Sequence, residues 1–198
     1  MPYTLTAPVH HELFIKKSRF IACVQPVTDR ASAQAVVAGL RARHPQAAHV
    51  CWALLAGGQS AAVDDGEPNG TAGRPMLDVL RHQDLEGVLA TVVRYFGGIK
   101  LGAGGLVRAY TDSVAQALLT AEKVAIVRHV QLACTAPYAQ EGMIRRELDA
   151  IGATLLAVNH GEAVVFTFSL AEAQAPSLVA RLNEAGHGRI GWLRDGEV

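Results

Sequence analysis

Two stretches of this chain hold residues whose types and spacing could do chemistry. The first is "DDGEPNGTAG" (Asp64–Gly73), where Asp64, Asp65 and Glu67 fall within four residues. Carboxylates that close could hold a divalent cation, but the spacing is not the D-x-[DN]-x-[DN]-G of a calcium loop. Two other readings stay open. The acids could belong to a solvated turn whose Asp and Asn side chains bond nearby backbone amides. They could also pair with Arg74, Arg94 or Lys100 across a cleft shared with the second stretch. Spacing alone assigns no metal and no catalytic residue.

The second stretch is "RYFGGIKLGAGGLVRAY" (Arg94–Tyr110). It carries Gly97, Gly98, Gly102, Gly104 and Gly105 in nine residues, with no acid between Gly87 and Thr111. Glycines inside regular structure each cost roughly 0.5–1 kcal/mol relative to alanine, so five of them need a compensating reason. One reason is steric: a tight strand-to-helix joint. The other is electrostatic. A glycine-rich turn feeding a helix start turns unpaired N–H groups outward, and these bind anions. Arg74, Arg94, Lys100 and Arg108 would add positive charge around Gly102, Gly104 and Gly105. The pattern is neither G-x-x-x-x-G-K-[ST] nor G-x-G-x-x-G, and Leu106-Val107 stand where small-molecule kinases carry serines. Phosphoryl transfer is therefore not expected, while anion binding and a purely steric joint both stay open. No cofactor motif is present.

Smaller candidates surround these. His49 and Cys51 are two apart and share a strand face, which favours a buried structural pair over a catalytic dyad. Lys16, Lys17 and Arg19 read as a basic strand face. Trp52 and Trp192 read as packing residues.

The totals limit what these groups can serve. The chain has 198 residues and 18 each of basic and acidic side chains. A zero balance argues against a generic polyanion binder while allowing a local basic patch. Through Lys123 there are 12 basic and 10 acidic residues, and after it 6 and 8, which favours the N-terminal part for an anionic partner. Three cysteines without C-x-x-C spacing read as reduced thiols in a cytoplasmic protein. No signal-peptide pattern and no apolar run of about 18 residues is seen, so no membrane partner is expected.

The elements that must position the candidates follow from periodicity. "FIKKSRFIACVQPV" (Phe14–Val27) reads as an extended start. Asp29 caps a helix with Ala33, Val36, Val37 and Leu40 on one face. His49–Ala56 and Gly87–Phe96 read as buried strands, Arg74–Gln83 as a helix, and Gly104–Ala121 as a helix with Leu106, Tyr110, Val114 and Leu118 inward. After Lys123 the order is βαββαβ, ending in a strand through "GRIGWLRDGEV", which is ferredoxin-like. Domains are expected at 1–123 and 127–198.

The quoted stretches, with "KKSRFIA" (Lys16–Ala22) and "AHVCWALL" (Ala48–Leu55), resemble the IMPACT/YigZ family. The resemblance covers about the first 123 residues, and the remainder resembles the small domain attached to bacterial members. It implies an α+β protein: an N-terminal domain of the ribosomal-protein-S5 second-domain type, a sheet with helices on one face, and a ferredoxin-like C-terminal domain similar to the last domains of elongation factor G. Eukaryotic members are translational regulators that restrain a stress kinase, partly through an extra N-terminal domain, and that pathway is not carried over. For this chain the resemblance implies a non-catalytic, translation-associated protein bound to RNA phosphate or to a ribosomal partner, without sequence-specific DNA readout. The alternatives are a metal-dependent enzyme or binder of a phosphorylated small molecule or nucleotide, and a protein-interaction adaptor.

Overall fold

The structure, a computed structural model, describes residues 2–193. The chain divides into two compact units between Ile126 and Val127. In chain order the first unit holds β1 (Tyr3–Leu5), β2 (Val9–Ile15), β3 (Ser18–Pro26), α1 (Arg30–Arg43), β4 (His49–Ala56), β5 (Gln59–Val63), α2 (Gly73–His82), β6 (Val88–Tyr95), α3 (Ala103–Leu118) and β7 (Lys123–Ala125). Lys123, the expected end of the first domain, lies inside this unit because β7 pairs antiparallel with β1.

Strands β2-β3-β6-β4-β5 form one antiparallel sheet in that order. Its centre is β6, buried from Val88 through Arg94. Alternation sends successive side chains to opposite faces, and the two faces carry separate cores. Phe20, Ala22, Cys51, Ala53, Ala90 and Val92 pack with α2 and α3 through Met76, Leu80, Leu106, Tyr110 and Val114. Val50, Trp52, Leu54, Leu89 and Val93 pack instead with Ala33 and Val37 of α1. The α+β class stands, but the expectation of helices on one face is corrected: α2 and α3 cover one side and α1 the other. The sequence explains this, since a strand buried on both faces is a continuous apolar run.

Local chemistry sets the element ends. Asp29 caps α1 reciprocally, its carboxylate accepting the Ser32 amide at 2.8 Å while the Asp29 amide donates to Ser32 Oγ at 3.3 Å. The extended start splits into β2 and β3 at Lys16 and Lys17, whose φ values of 46° and 66° make a two-residue hairpin turn.

The second unit holds β8 (His129–Ala136), α4 (Glu141–Ala150), β9 (Thr154–His160), β10 (Val164–Ala171), α5 (Ala175–Ala185) and β11 (Gly191–Leu193). The sheet order β11-β8-β10-β9, all antiparallel, is the expected ferredoxin-like arrangement. Ile144 and Leu148 of α4 and Leu178 and Leu182 of α5 close over Cys134, Phe166, Phe168 and Leu170. The expected final strand beyond Leu193 lies outside the described residues. Among those residues no helix is long and apolar enough to cross a membrane.

Candidate functional site

The candidate site lies at one end of the first sheet, where β4 begins and β6 ends. His49 and Arg94 are cross-strand partners there, and Phe20 of β3 is the partner of Arg94 on its other side. All three sit on the face that α3 covers. An arginine at that point of a doubly covered strand cannot reach water, and Arg94 is only 5% exposed. Its guanidinium lies between two aromatic rings, 5.2 Å from the centroid of Phe20 and 5.6 Å from that of Phe96.

The charge is met by the acidic loop. Arg94 Nη1 donates to Glu67 Oε1 at 2.6 Å, and the Tyr110 hydroxyl of α3 donates to the same oxygen at 2.7 Å. Arg94 Nη2 reaches Ser18 Oγ at 3.4 Å, and Ser18 Oγ also accepts the Gly97 amide at 3.1 Å. Arg94 Nε is buried with no partner. Glu67 Oε2 faces His49 Nε2 at 3.8 Å, while His49 Nδ1 donates to the Asp65 carbonyl at 2.8 Å. Burial first of all, and then the carboxylates nearby, push the Cys51 thiol up to about 12, with the Tyr110 hydroxyl opposing them. Its Sγ donates to the Asp64 carbonyl at 2.9 Å. Cys51 is thus an inert packing and bonding group.

The other two acids turn elsewhere. Asp64 reaches down the chain to α2, whose N-cap, Ala72, has no side-chain cap. Its Oδ1 accepts the amides of Ala72 at 3.0 Å and Gly73 at 2.8 Å, and Oδ2 that of Gly70 at 2.7 Å. Burial works to raise its pKa; the three amides outweigh it and hold the carboxyl below its ordinary value. Asp65 accepts the Val50 amide at 2.7 Å and pairs with Arg41 at 2.6 Å. The possibility of a cation held by Asp64, Asp65 and Glu67 is therefore corrected. The three carboxylates point at a helix start, a strand edge and a buried arginine, and no cluster that could hold a metal occurs among the described residues.

The expectation for the cations changes likewise. Arg94 is an internal ion-pair partner. Arg74 lies on α2, paired with Asp78 one turn on at 3.0 Å, and borders a different hollow with Val79 and His82. Arg108 is exposed on α3 and is absent from the walls of the cleft described next. Lys100 is exposed at the rim of that cleft, with no ion-pair partner among the described residues.

A cleft of about 470 Å³ is walled by His49, by Gly66–Pro68 of the acidic loop, by Phe96, and by Lys100–Ala103 with Leu106 behind; Arg94 and Glu67 line it too. The two glycine-rich loops thus meet around one hollow. Gly102, with φ 74°, is the N-cap of α3 and supplies no side-chain cap. The first intrahelical bond runs from the Leu106 amide to the Gly102 carbonyl, so the amides of Ala103, Gly104 and Gly105 stand ahead of it, and of this turn Gly102, Ala103 and Leu106 line the cleft. The steric reading holds for Gly97, where a Cβ would overlap the backbone of Lys17. It fails for Gly104, which has a helical backbone and no atom within 4 Å of a Cβ position. Beside the cleft, Phe96 is 52% exposed and Ile99 44%.

Sequence reasoning misses Ser18 as a support residue, takes His49 as half of a buried structural pair, and has Phe96 as one of the few local aromatics available for stacking. Phe96 left one signal, an aromatic residue just beyond the end of a buried strand. Ser18 left none.

Comparison with known proteins gives two family matches: "Impact N-terminal domain" over residues 16–118 and "Domain of unknown function (DUF1949)" over 134–189. The chain is 36% identical to IMPACT family member YvyE of Bacillus subtilis (strain 168), across 99% of this chain and 91% of that one. It is 37% identical to IMPACT family member YigZ of Escherichia coli (strain K12), across 94% of each. A crystal structure described as that of a hypothetical protein superimposes with a TM-score of 0.67 at 34% identity, across 99% of this chain and 98% of that one.

Proposed function

This chain belongs to the IMPACT family, and from that premise we propose that its N-terminal domain is a non-catalytic, translation-associated binding module for single-stranded RNA. One observation carries the reading: the uncapped start of α3, the unpaired Lys100 and the exposed ring of Phe96 border the same open cleft. A helix start and a lysine attract phosphate, and an exposed ring accepts a base by stacking. The Lys16–Lys17 turn abuts Gly97 at the base of the loop and adds positive charge to that end of the sheet. Binding of this kind follows backbone charge and reads little sequence.

The metal-dependent alternative loses its ligands, since all three acids are engaged elsewhere. The RNA reading predicts that a fluorescent pyrimidine octamer binds the full chain with an affinity that falls as salt rises. Lys100→Glu would weaken it about tenfold or more and flatten the salt dependence by roughly one phosphate contact. Phe96→Ala would cost about 1–3 kcal/mol of binding. Octamer affinity equal to the parent's in both variants refutes the assignment. Ribosome co-sedimentation of the parent and Lys100→Glu forms checks the translation link.

A further inference from the structure

Resting on that reading of the cleft, we infer that it seats one base of the strand and selects a base with an exocyclic amino group, such as cytosine, over uracil.

Two hydrogen-bond acceptors meet on the cleft wall with no donor between them. The bonds to Glu67 from Arg94 Nη1 and from the Tyr110 hydroxyl both end on Oε1. Oε2 is left with His49 Nε2 at 3.8 Å, which is too long for a hydrogen bond. His49 Nδ1 donates to the Asp65 carbonyl at 2.8 Å, so the neutral ring carries its proton there and Nε2 is an acceptor. Both residues line the cleft, and Glu67 is only 8% exposed. An acceptor that is poorly hydrated and unbonded is costly, and a donor on a ligand would relieve it.

An amino group suits the pair. It carries two N–H bonds, one for each acceptor, and a nitrogen about 2.9 Å from each would span the gap. A uracil carbonyl in the same place would set a third acceptor against them. The pairing of a carboxylate with the cytosine amine is a known means of telling bases apart. Arg94 balances the charge of Glu67 at 2.6 Å, so the acceptors are offered without a net negative floor that would repel the strand.

The walls suit a planar ring. Pro68, Leu101 and Leu106 are apolar, Phe96 is half-exposed beside them, and about 470 Å³ lies within the range of small-ligand pockets. Phosphate contacts at Lys100 do not distinguish bases. The selectivity therefore sits at one base position, and the rest of the strand is held by charge.

The test uses the full chain and labelled octamers of cytidine, of uridine and of N4,N4-dimethylcytidine, which share one backbone charge. Anisotropy at one fixed salt concentration should show the cytidine octamer binding about tenfold more tightly than the other two. Glu67→Gln keeps a carbonyl for Arg94 and Tyr110 and puts an amide NH2 where Oε2 stood. A donor then replaces an acceptor, and the preference should reverse toward uridine. His49→Phe keeps a ring but deletes the Nε2 acceptor, and should shrink the preference to about threefold or less. Thermal melting checks that each variant is folded. If the cytidine and uridine octamers bind the parent within twofold of each other, or the dimethylated octamer matches cytidine, the base inference falls while RNA binding stands. If no octamer binds, both fall. If folded Glu67→Gln keeps the parental preference, another group reads the amine and the assignment to Glu67 and His49 is wrong.

Discussion

Replacing Glu67 by glutamine tests the internal architecture on which the cleft depends. The side chains are nearly equal in size, so no cavity opens and the change is one of charge. In the parent, the Glu67 carboxylate is 3% exposed and receives Arg94 Nη1 at 2.6 Å and the Tyr110 hydroxyl at 2.7 Å. Breaking a buried pair by removing one partner costs about 3–5 kcal/mol, because the surviving charge stays in a poorly solvated place. The glutamine carbonyl can keep one of the two bonds, which recovers roughly 1 kcal/mol. The expected loss is thus about 2–4 kcal/mol, a fall of about 8–15 °C in the melting temperature of a domain this size. Trp52 is buried in the first unit and Trp192 lies in the second, so fluorescence in a Trp192→Phe background reports the N-terminal unit by itself. Urea unfolding in that background should show the loss. Arg94→Met should also destabilise, whereas the double variant, with neither charge left, should lie nearer the parent than either single change. A loss under about 1 kcal/mol for Glu67→Gln, or losses that simply add in the double variant, would refute the account of Arg94 as a charge held in place by Glu67.

Two further predictions concern the loops around the cleft. Asp64→Asn removes the carboxylate that caps α2 and should cost about 1–2 kcal/mol at pH 7. The native carboxyl sits below its ordinary value, so its charge-linked contribution is full above about pH 4 and fades as pH falls through the lower folded value. Urea unfolding should therefore show parent and variant converging toward pH 2–3, and an unchanged gap there would remove the capping role. Gly97→Ala drives a Cβ into the Lys17 backbone beside the Ser18 contact; it should cost about 1–3 kcal/mol in the same assay, and parental stability would show that the hairpin turn gives way freely.

What could be read from the sequence, and what could not, divides along physical lines. Strands β4 and β6 are apolar runs, and α1, α3 and α4 keep a helical stripe, so their positions follow from periodicity. The split between β2 and β3 does not, because Lys16 and Lys17 take left-handed backbone that Gly or Asn would have signalled. Strand β5 hides in "QSAAV", whose half-exposed alternation is weak. At the candidate site, glycine density marked a loop that lines the cleft, and charge composition favoured the unit that holds it. The direction of each charged side chain depended on tertiary facts. Arg94 interrupts an otherwise uncharged strand core, and once β6 is central and covered on both faces, its charge must be met from within. Glu67, held in a turn that starts from the capping Asp64, meets it. That pairing draws the acidic loop against the end of β6, opposite the start of α3. The same contact that takes Arg94 out of the candidate set therefore builds the cleft wall, and it leaves Lys100 and the start of α3 at Gly102 and Ala103 as the positive groups bordering the cleft.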